Sequence, residues 1–279
     1  MNFPRHWSFA KSGRGQAWGW SDVSLAAAQA AARERAAKVD ALLRGSARPD
    51  RAAEYYPGQP MREPVLRELA GPDGGLAAVV TRNTYGADIL NAADALFVDV
   101  DLPEPAQPGL LARLFGAKAP PPGQPSPAES AALARAEAWA NTHPGWGWRV
   151  YRTAAGLRLL ATHATFDPAD PFVREVFRQL QADPLYARLC VSQACFRARL
   201  TPKPWRVGLR GEPPRWPWAE AATEQVFAAW ERAYRQAAQA YATCTLVRTI
   251  GTTEIHPDLR ALVALHDEAC KVGSGLPLA

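Results

Sequence analysis

Cysteine is scarce in this chain of 279 residues: only Cys190, Cys195, Cys244 and Cys270 occur, with no C-x-x-C pair among them. That pattern supports neither a zinc ribbon nor a disulfide framework, and a reducing cytoplasm is the expected compartment. Long apolar runs are missing too. No stretch approaches about 18 uninterrupted apolar residues, and the opening Met-Asn-Phe-Pro-Arg-His-Trp puts proline and charge where a secretion signal needs an apolar core. The chain therefore reads as soluble, with no membrane partner. Charge of one sign is not in large excess either: 32 Lys plus Arg against 27 Asp plus Glu leaves +5, too little to imply a nucleic-acid partner unless it is clustered. With 48% hydrophobic and 21% charged residues disorder is excluded. The length allows one large domain or two small ones at roughly 100 to 200 residues each.

What is present begins with a ββα pattern. Trp7 to Ala10 and Ala17 to Trp20 flank a Lys-Ser-Gly-Arg-Gly turn, and an alanine-rich helix is expected from about Ser24 to Leu43, its apolar stripe supplied by Leu25, Val39, Leu42 and Leu43. Gly45 to Pro60 reads as a loop and Glu63 to Leu69 as a short helix. Three runs follow with strand character: 78–82, 85–90 and 95–101, expected side by side at the centre of one sheet. Eight prolines between Pro103 and Pro127 mark a surface insertion. A helix from Pro127 to Asn141 leads into a hairpin, Arg149–Thr153 and Leu157–His163, joined at Ala154-Ala155-Gly156. Helices at 171–182 and 184–196, a strand at 196–200, a Trp/Pro-rich loop, a helix at 219–241, a strand at 244–249 and a last helix at 257–270 complete the order. Antiparallel hairpins mixed with helices predict an α+β fold. The expected division is 1–70 (ββα unit and lead-in), 71–206 (α+β core with the 103–127 insertion) and 207–279 (C-terminal helical extension).

Three segments carry candidate chemistry. In Leu96-Phe97-Val98-Asp99-Val100-Asp101-Leu102, strand alternation sends Asp99 and Asp101 to one face together with Phe97. Two carboxylates held side by side are relieved by a divalent cation, an arginine or solvent; the metal reading makes Asp99 and Asp101 ligands of Mg²⁺ or Mn²⁺ for phosphoryl or nucleotidyl transfer. The hairpin 149–163 contains no acid; its tight turn at Gly156 lets backbone approach a ligand closely, while Arg152, Thr153 and Arg158 supply the donors a phosphate or carboxylate needs. The third segment, Arg197 to Arg215, holds six basic residues and one acid, Glu212, so the excess charge is concentrated there. Arg197, Arg199, Lys203 and Arg206 are its phosphate-binding candidates. Buried arginines demand carboxylates or phosphates, so Asp99 and Asp101 facing Arg158, Arg197 or Arg199 across a sheet is the alternative, purely architectural arrangement. His163, at the hairpin's end, is a candidate ligand or general base; His143, His256 and His266 show no metal spacing, and His6 lies in the opening segment with no partner visible. Most of the ten tryptophans sit beside glycine and proline, where packing is the expected role.

The order hhD-x-D strand, T-x-x-G-h-R hairpin and basic F-R-A-R-h-x-P-K strand resembles the core of the archaeo-eukaryotic primase (primase-polymerase) superfamily over roughly Leu76 to Arg206. The resemblance implies an RRM-like, mainly antiparallel sheet, Asp99 and Asp101 as the metal pair, Thr153 and Gly156 in the nucleotide-contacting hairpin, and a nucleotide or nucleic acid as partner. Arg158 stands where the family carries histidine, with His163 five residues onward, and no third carboxylate is placed. The site implied is catalytic through Asp99, Asp101, Arg158 and His163, with Arg152, Thr153, Gly156, Arg197, Arg199, Lys203 and Arg206 on phosphate. The whole chain, through Phe-Pro-Arg-His-Trp and Thr-Pro-Lys-Pro-Trp-Arg, also resembles a bacterial protein family, a likeness that implies no function. A non-catalytic module that binds nucleic acid or a protein, its acids neutralising its arginines internally, is the reading from a different class.

Overall fold

Gly13, at φ +55°, turns the first hairpin. β1 (His6–Ser12) pairs antiparallel with β2 (Gly15–Ser21), and α1 (Leu25–Arg44) lies across the pair. The computed structural model describes residues 1–44, 60–103, 125–218 and 220–279. Alanine, not leucine, joins helix to hairpin: Ala28, Ala32 and Ala36 are fully buried, whereas Leu25 and Leu42 are 50% and 59% exposed. Leu25 and Leu42 thus leave the stripe expected from the sequence, while its Val39 and Leu43 are half-buried. The cause lies on β2, where Gly15 and Gly19 let the helix backbone approach so closely that only methyl side chains fit between.

Eight further strands follow: β3 (Val65–Ala70), β4 (Leu76–Arg82), β5 (Asp88–Ala92), β6 (Phe97–Asp101), β7 (Gly147–Thr153), β8 (Gly156–Ala161), β9 (Phe196–Arg199) and β10 (Cys244–Gly251). They form two antiparallel four-stranded sheets, β3-β4-β5-β9 and β10-β7-β8-β6. With α2 (Pro127–Thr142), α3 (Pro171–Gln179), α4 (Pro184–Gln193), α5 (Ala221–Ala238) and α6 (Arg260–Ala269), the architecture is α+β. One buried apolar cluster runs through both larger sheets and the helices against them, from Ala78 to Cys270. No helix among the described residues is long and apolar enough to cross a membrane.

Two further expectations are corrected. The helix read at Glu63–Leu69 is instead β3: Leu-Arg-Glu-Leu has good helix propensity, but the free edge of β4 pairs with it, and tertiary pairing outweighs a propensity of tenths of a kcal/mol per residue. The three strands read as neighbours are split, because β9 occupies the free edge of β5 and β6 crosses to pair with β8 in the other sheet. Helix starts were legible. Ser126 accepts a hydrogen bond from Glu129 N, and the Asp-Pro pairs place Asp170 on Phe172 N and Asp183 on Leu185 N, each with proline in the first helical turn. The proline-rich insertion lies, except at its ends, outside the described residues, as does nearly all of the Gly45–Pro60 loop.

Candidate functional site

Strand register puts Asp99 directly opposite Arg158 and Asp101 opposite Gly156. Arg158 Nε donates to Asp99 Oδ1 at 3.0 Å, and Nη1 donates to the Arg199 carbonyl at 2.9 Å. The guanidinium is only 1% exposed while the Asp99 side chain keeps 34%. Burial pulls the arginine's pKa down most strongly, but Asp99 together with the neighbouring Cys270 and Cys244 outweighs it, and Arg158 is held above its ordinary value. Arg158 is therefore a buried tie between β6, β8 and the end of β9.

Asp101, at the end of β6, is exposed. Beside it stands Asp183, whose side chain caps α4 and whose backbone N–H donates to the Asp99 carbonyl at 2.9 Å. Partial burial and then repulsion from Asp183 and Asp99 raise the Asp101 pKa, with Lys203 and Arg206 pulling it back. The cations that oppose these acids come from β9 and the turn after it. Tyr234 on α5 places its hydroxyl 2.6 Å from the Pro202 carbonyl and 2.7 Å from Thr201 Oγ1, and so pins that turn. A 3₁₀ segment, Pro204–Val207, then presents Arg206.

Arg199, Lys203 and Arg206 form no ion pair among the described residues. One guanidinium nitrogen each of Arg199 and Arg206 is buried with no hydrogen-bond partner. Burial followed by repulsion from Arg199 and Arg206 depresses the Lys203 pKa, and burial depresses that of Arg199. Three mutually repelling cations thus stand beside three carboxylates. The rim is aromatic: Trp205 is 56% exposed, meets Tyr85 edge-on at 5.3 Å and lies under the Lys203 ammonium at 5.4 Å.

Other sequence candidates are engaged elsewhere. Arg197 is paired with the buried Glu63 through both carboxylate oxygens, at 2.9 and 3.1 Å. Arg152 Nε donates to Glu129 Oε1 at 2.9 Å, tying α2 to β7. Thr153 Oγ1 donates to the Gly156 carbonyl across the turn at 3.2 Å, and a Cβ on Gly156 would strike the Val100 carbonyl, so both residues serve strand approach. His163 lies beyond Leu160, the partner of Phe97, at the end of β6 opposite to Asp101. There its Nδ1 accepts from Gly147 N at 3.3 Å and its ring packs 4.2 Å from Trp146.

Burial lowers the His163 pKa below its usual 6.5. The folded state thus binds a proton less readily than the unfolded one, and stability falls as pH drops through about 6.5. His163→Asn should flatten the loss of stability between pH 7 and 5 in urea titrations; an unchanged pH slope would remove this role.

Sequence reasoning missed Asp183, legible only as a cap before Pro184, and it missed a buried grouping of Cys244, His266 and Cys270. Cys190 and Cys195, by contrast, are thiols outside that grouping, pushed by burial up to about 12 and about 11. In comparisons with protein-family models, curated proteins and solved structures, none matches this chain.

Proposed function

We propose that Arg199, Lys203 and Arg206 bind the phosphate of a nucleotide or nucleic acid, with Trp205 and Tyr85 offering a stacking surface. The observation that carries this reading is the clustering of three cations that form no ion pair among the described residues, two of them with a buried guanidinium nitrogen that has no hydrogen-bond partner there. A buried charged donor left unpaired is costly, and phosphate oxygens are the acceptors that match it. A reducing cytoplasm suits the four free, buried cysteines.

A second reading, metal-dependent nucleotidyl or phosphoryl transfer of primase-polymerase type, is favoured by the acids at the rim. Asp99 Oδ1 is occupied by Arg158, which leaves Asp99 Oδ2, Asp101 and the free oxygen of Asp183 as hard donors of the kind Mg²⁺ or Mn²⁺ takes. Lys203 and Arg206 oppose a bare cation there, and a bound phosphate would cancel that opposition. Such a metal would neutralise phosphate charge, while Arg199, Lys203 and Arg206 orient the phosphate oxygens. Mn²⁺ should accordingly bind far better with a nucleoside triphosphate present than without, and Asp101→Asn should abolish the gain in calorimetry. No Mn²⁺ uptake with or without nucleotide would remove the enzyme reading and leave a non-catalytic binding module.

The phosphate reading is tested by fluorescence anisotropy with a labelled single-stranded oligonucleotide and by calorimetry with a nucleoside triphosphate. Lys203→Ala and Arg206→Ala should each weaken binding about tenfold and lower the oligonucleotide salt slope by roughly 0.7 to 1. Arg174→Ala, on the exposed side of α3, should change neither. Unaltered affinity for both probes in the Lys203→Ala/Arg206→Ala variant would overturn the assignment.

A further inference from the structure

Three soft donors converge beneath the Arg158–Asp99 pair. Cys244 opens β10, while His266 and Cys270 stand four residues apart, one helical turn, on α6 and its C-cap. All three are fully buried, and their ligand atoms lie within 4.8 Å of one another. The imidazole is oriented from outside: His266 Nδ1 faces Asp267 Oδ1 at 3.0 Å, and Asp267 also accepts from Tyr151 Oη at 2.8 Å and Arg149 Nη2 at 2.5 Å. A carboxylate surrounded by donors accepts from Nδ1, which puts the ring proton on that nitrogen and the lone pair on Nε2. This carboxylate–histidine pairing is the arrangement that fixes tautomer and ring direction at metal centres. Arg158 Nη1 lies 3.4 Å from Nε2, a long contact that a metal on Nε2 would replace, and its 2.9 Å bond to the Arg199 carbonyl would remain.

We propose that Cys244, His266 and Cys270 bind Zn²⁺. Zinc–sulfur bonds of about 2.3 Å and zinc–nitrogen bonds of about 2.0–2.1 Å give donor separations of roughly 3.5–3.8 Å in a tetrahedron. The ligand atoms, within 4.8 Å of one another, therefore need close in by no more than about 1.3 Å. Binding releases the two thiol protons to solvent, and the two thiolates cancel the dication, so a neutral complex sits in the core beside a neutral ion pair. Thiolate and imidazole suit this ion and not Mg²⁺ or Mn²⁺. Zinc here staples the C-terminal helix to the strand beside β7, a role independent of the phosphate site.

The test is titration of the reduced full-length protein with Co²⁺, a spectroscopic substitute for Zn²⁺. One equivalent should produce an intense near-ultraviolet thiolate-to-cobalt band and four-coordinate visible bands, both erased by one equivalent of Zn²⁺. Cys244→Ser and Cys270→Ser should lose the ultraviolet band, and Cys190→Ser and Cys195→Ser should keep it. Asp267→Asn, a positioning change, should weaken Co²⁺ binding about 10- to 100-fold while leaving the band in place at saturation. The unmodified protein's spectrum decides the matter even if a cysteine variant fails to fold. No thiolate band, an undiminished band in the Cys244→Ser/Cys270→Ser variant, or uptake of Cu⁺ with none of Co²⁺ or Zn²⁺ would overturn the zinc assignment.

Discussion

Asp99→Ala should destabilise the fold by about 3–5 kcal/mol, and Arg158→Met should cost clearly less, although the two changes break the same ion pair. The asymmetry follows from burial. Arg158 is 1% exposed, so losing Asp99 strands a guanidinium in the core with only the Arg199 carbonyl as a strong acceptor. Losing Arg158 strands a carboxylate that is a third exposed and that water can solvate. The Asp99→Leu/Arg158→Met double variant should recover part of the loss, because an apolar pair of similar volume removes both desolvation costs. Urea unfolding of the four proteins measures this; an Arg158→Met variant less stable than Asp99→Ala would refute it. The same reasoning decides how the site is probed. An Asp99 variant that lost phosphate or Mn²⁺ binding would confound chemistry with unfolding, whereas Asp101, exposed and free of ion pairs among the described residues, reports on chemistry alone.

How much was legible in the sequence depended on how far apart the partners lie. The hairpin read at Arg149–Thr153 and Leu157–His163 and the common face of Asp99 and Asp101 follow from alternation within a few residues, and the α2 start follows from Pro127. The arginines divide on the same principle. From the sequence, Arg197 and Arg199 are equivalent basic residues on one strand. The structure supplies Arg197 with Glu63, 134 positions away in the chain, and gives Arg199 no ion pair among the described residues, so one is architecture and the other a binding candidate. Local pattern cannot separate them, since the distinction is made by β3 pairing where a helix was expected. The cysteine grouping was half visible: His266 and Cys270 are one turn apart on any helix, but Cys244 reaches them only because β10 returns along β7. Counting C-x-x-C pairs searches for contiguous ligands and misses a site assembled by topology.

Gly19→Leu should detach α1 from its hairpin while leaving the rest of the molecule folded. Gly19→Ala should already cost about 3 kcal/mol, at the upper end of what overpacking exacts. A Cβ built on Gly19 would come within 2.6 Å of Ala32 Cα and closer still to Ala32 N and touch the Ala28 carbonyl. These are backbone atoms of a helix, so no rotamer change relieves the contact and the helix must retreat as a body. Strain is not the cause, since Gly19 is not among the glycines with positive φ. Gly74→Ala supplies the contrast: at φ +78° with nothing within 4 Å of its Cβ, it pays only the left-handed backbone cost of roughly 1 kcal/mol. The leucines that periodicity singles out are the second control. Leu42→Ser, at a residue 59% exposed, should stay within about 0.5 kcal/mol of the parent, whereas Ala32→Leu should behave like Gly19→Leu. Hydrogen exchange resolves where the damage falls. In Gly19→Leu, protection should vanish across β1, β2 and α1 and persist at Val150 and Leu159 in the central sheet, both almost fully buried. Protection lost equally in both places would mean that this alanine–glycine seam is part of the global core and not a separately breakable layer.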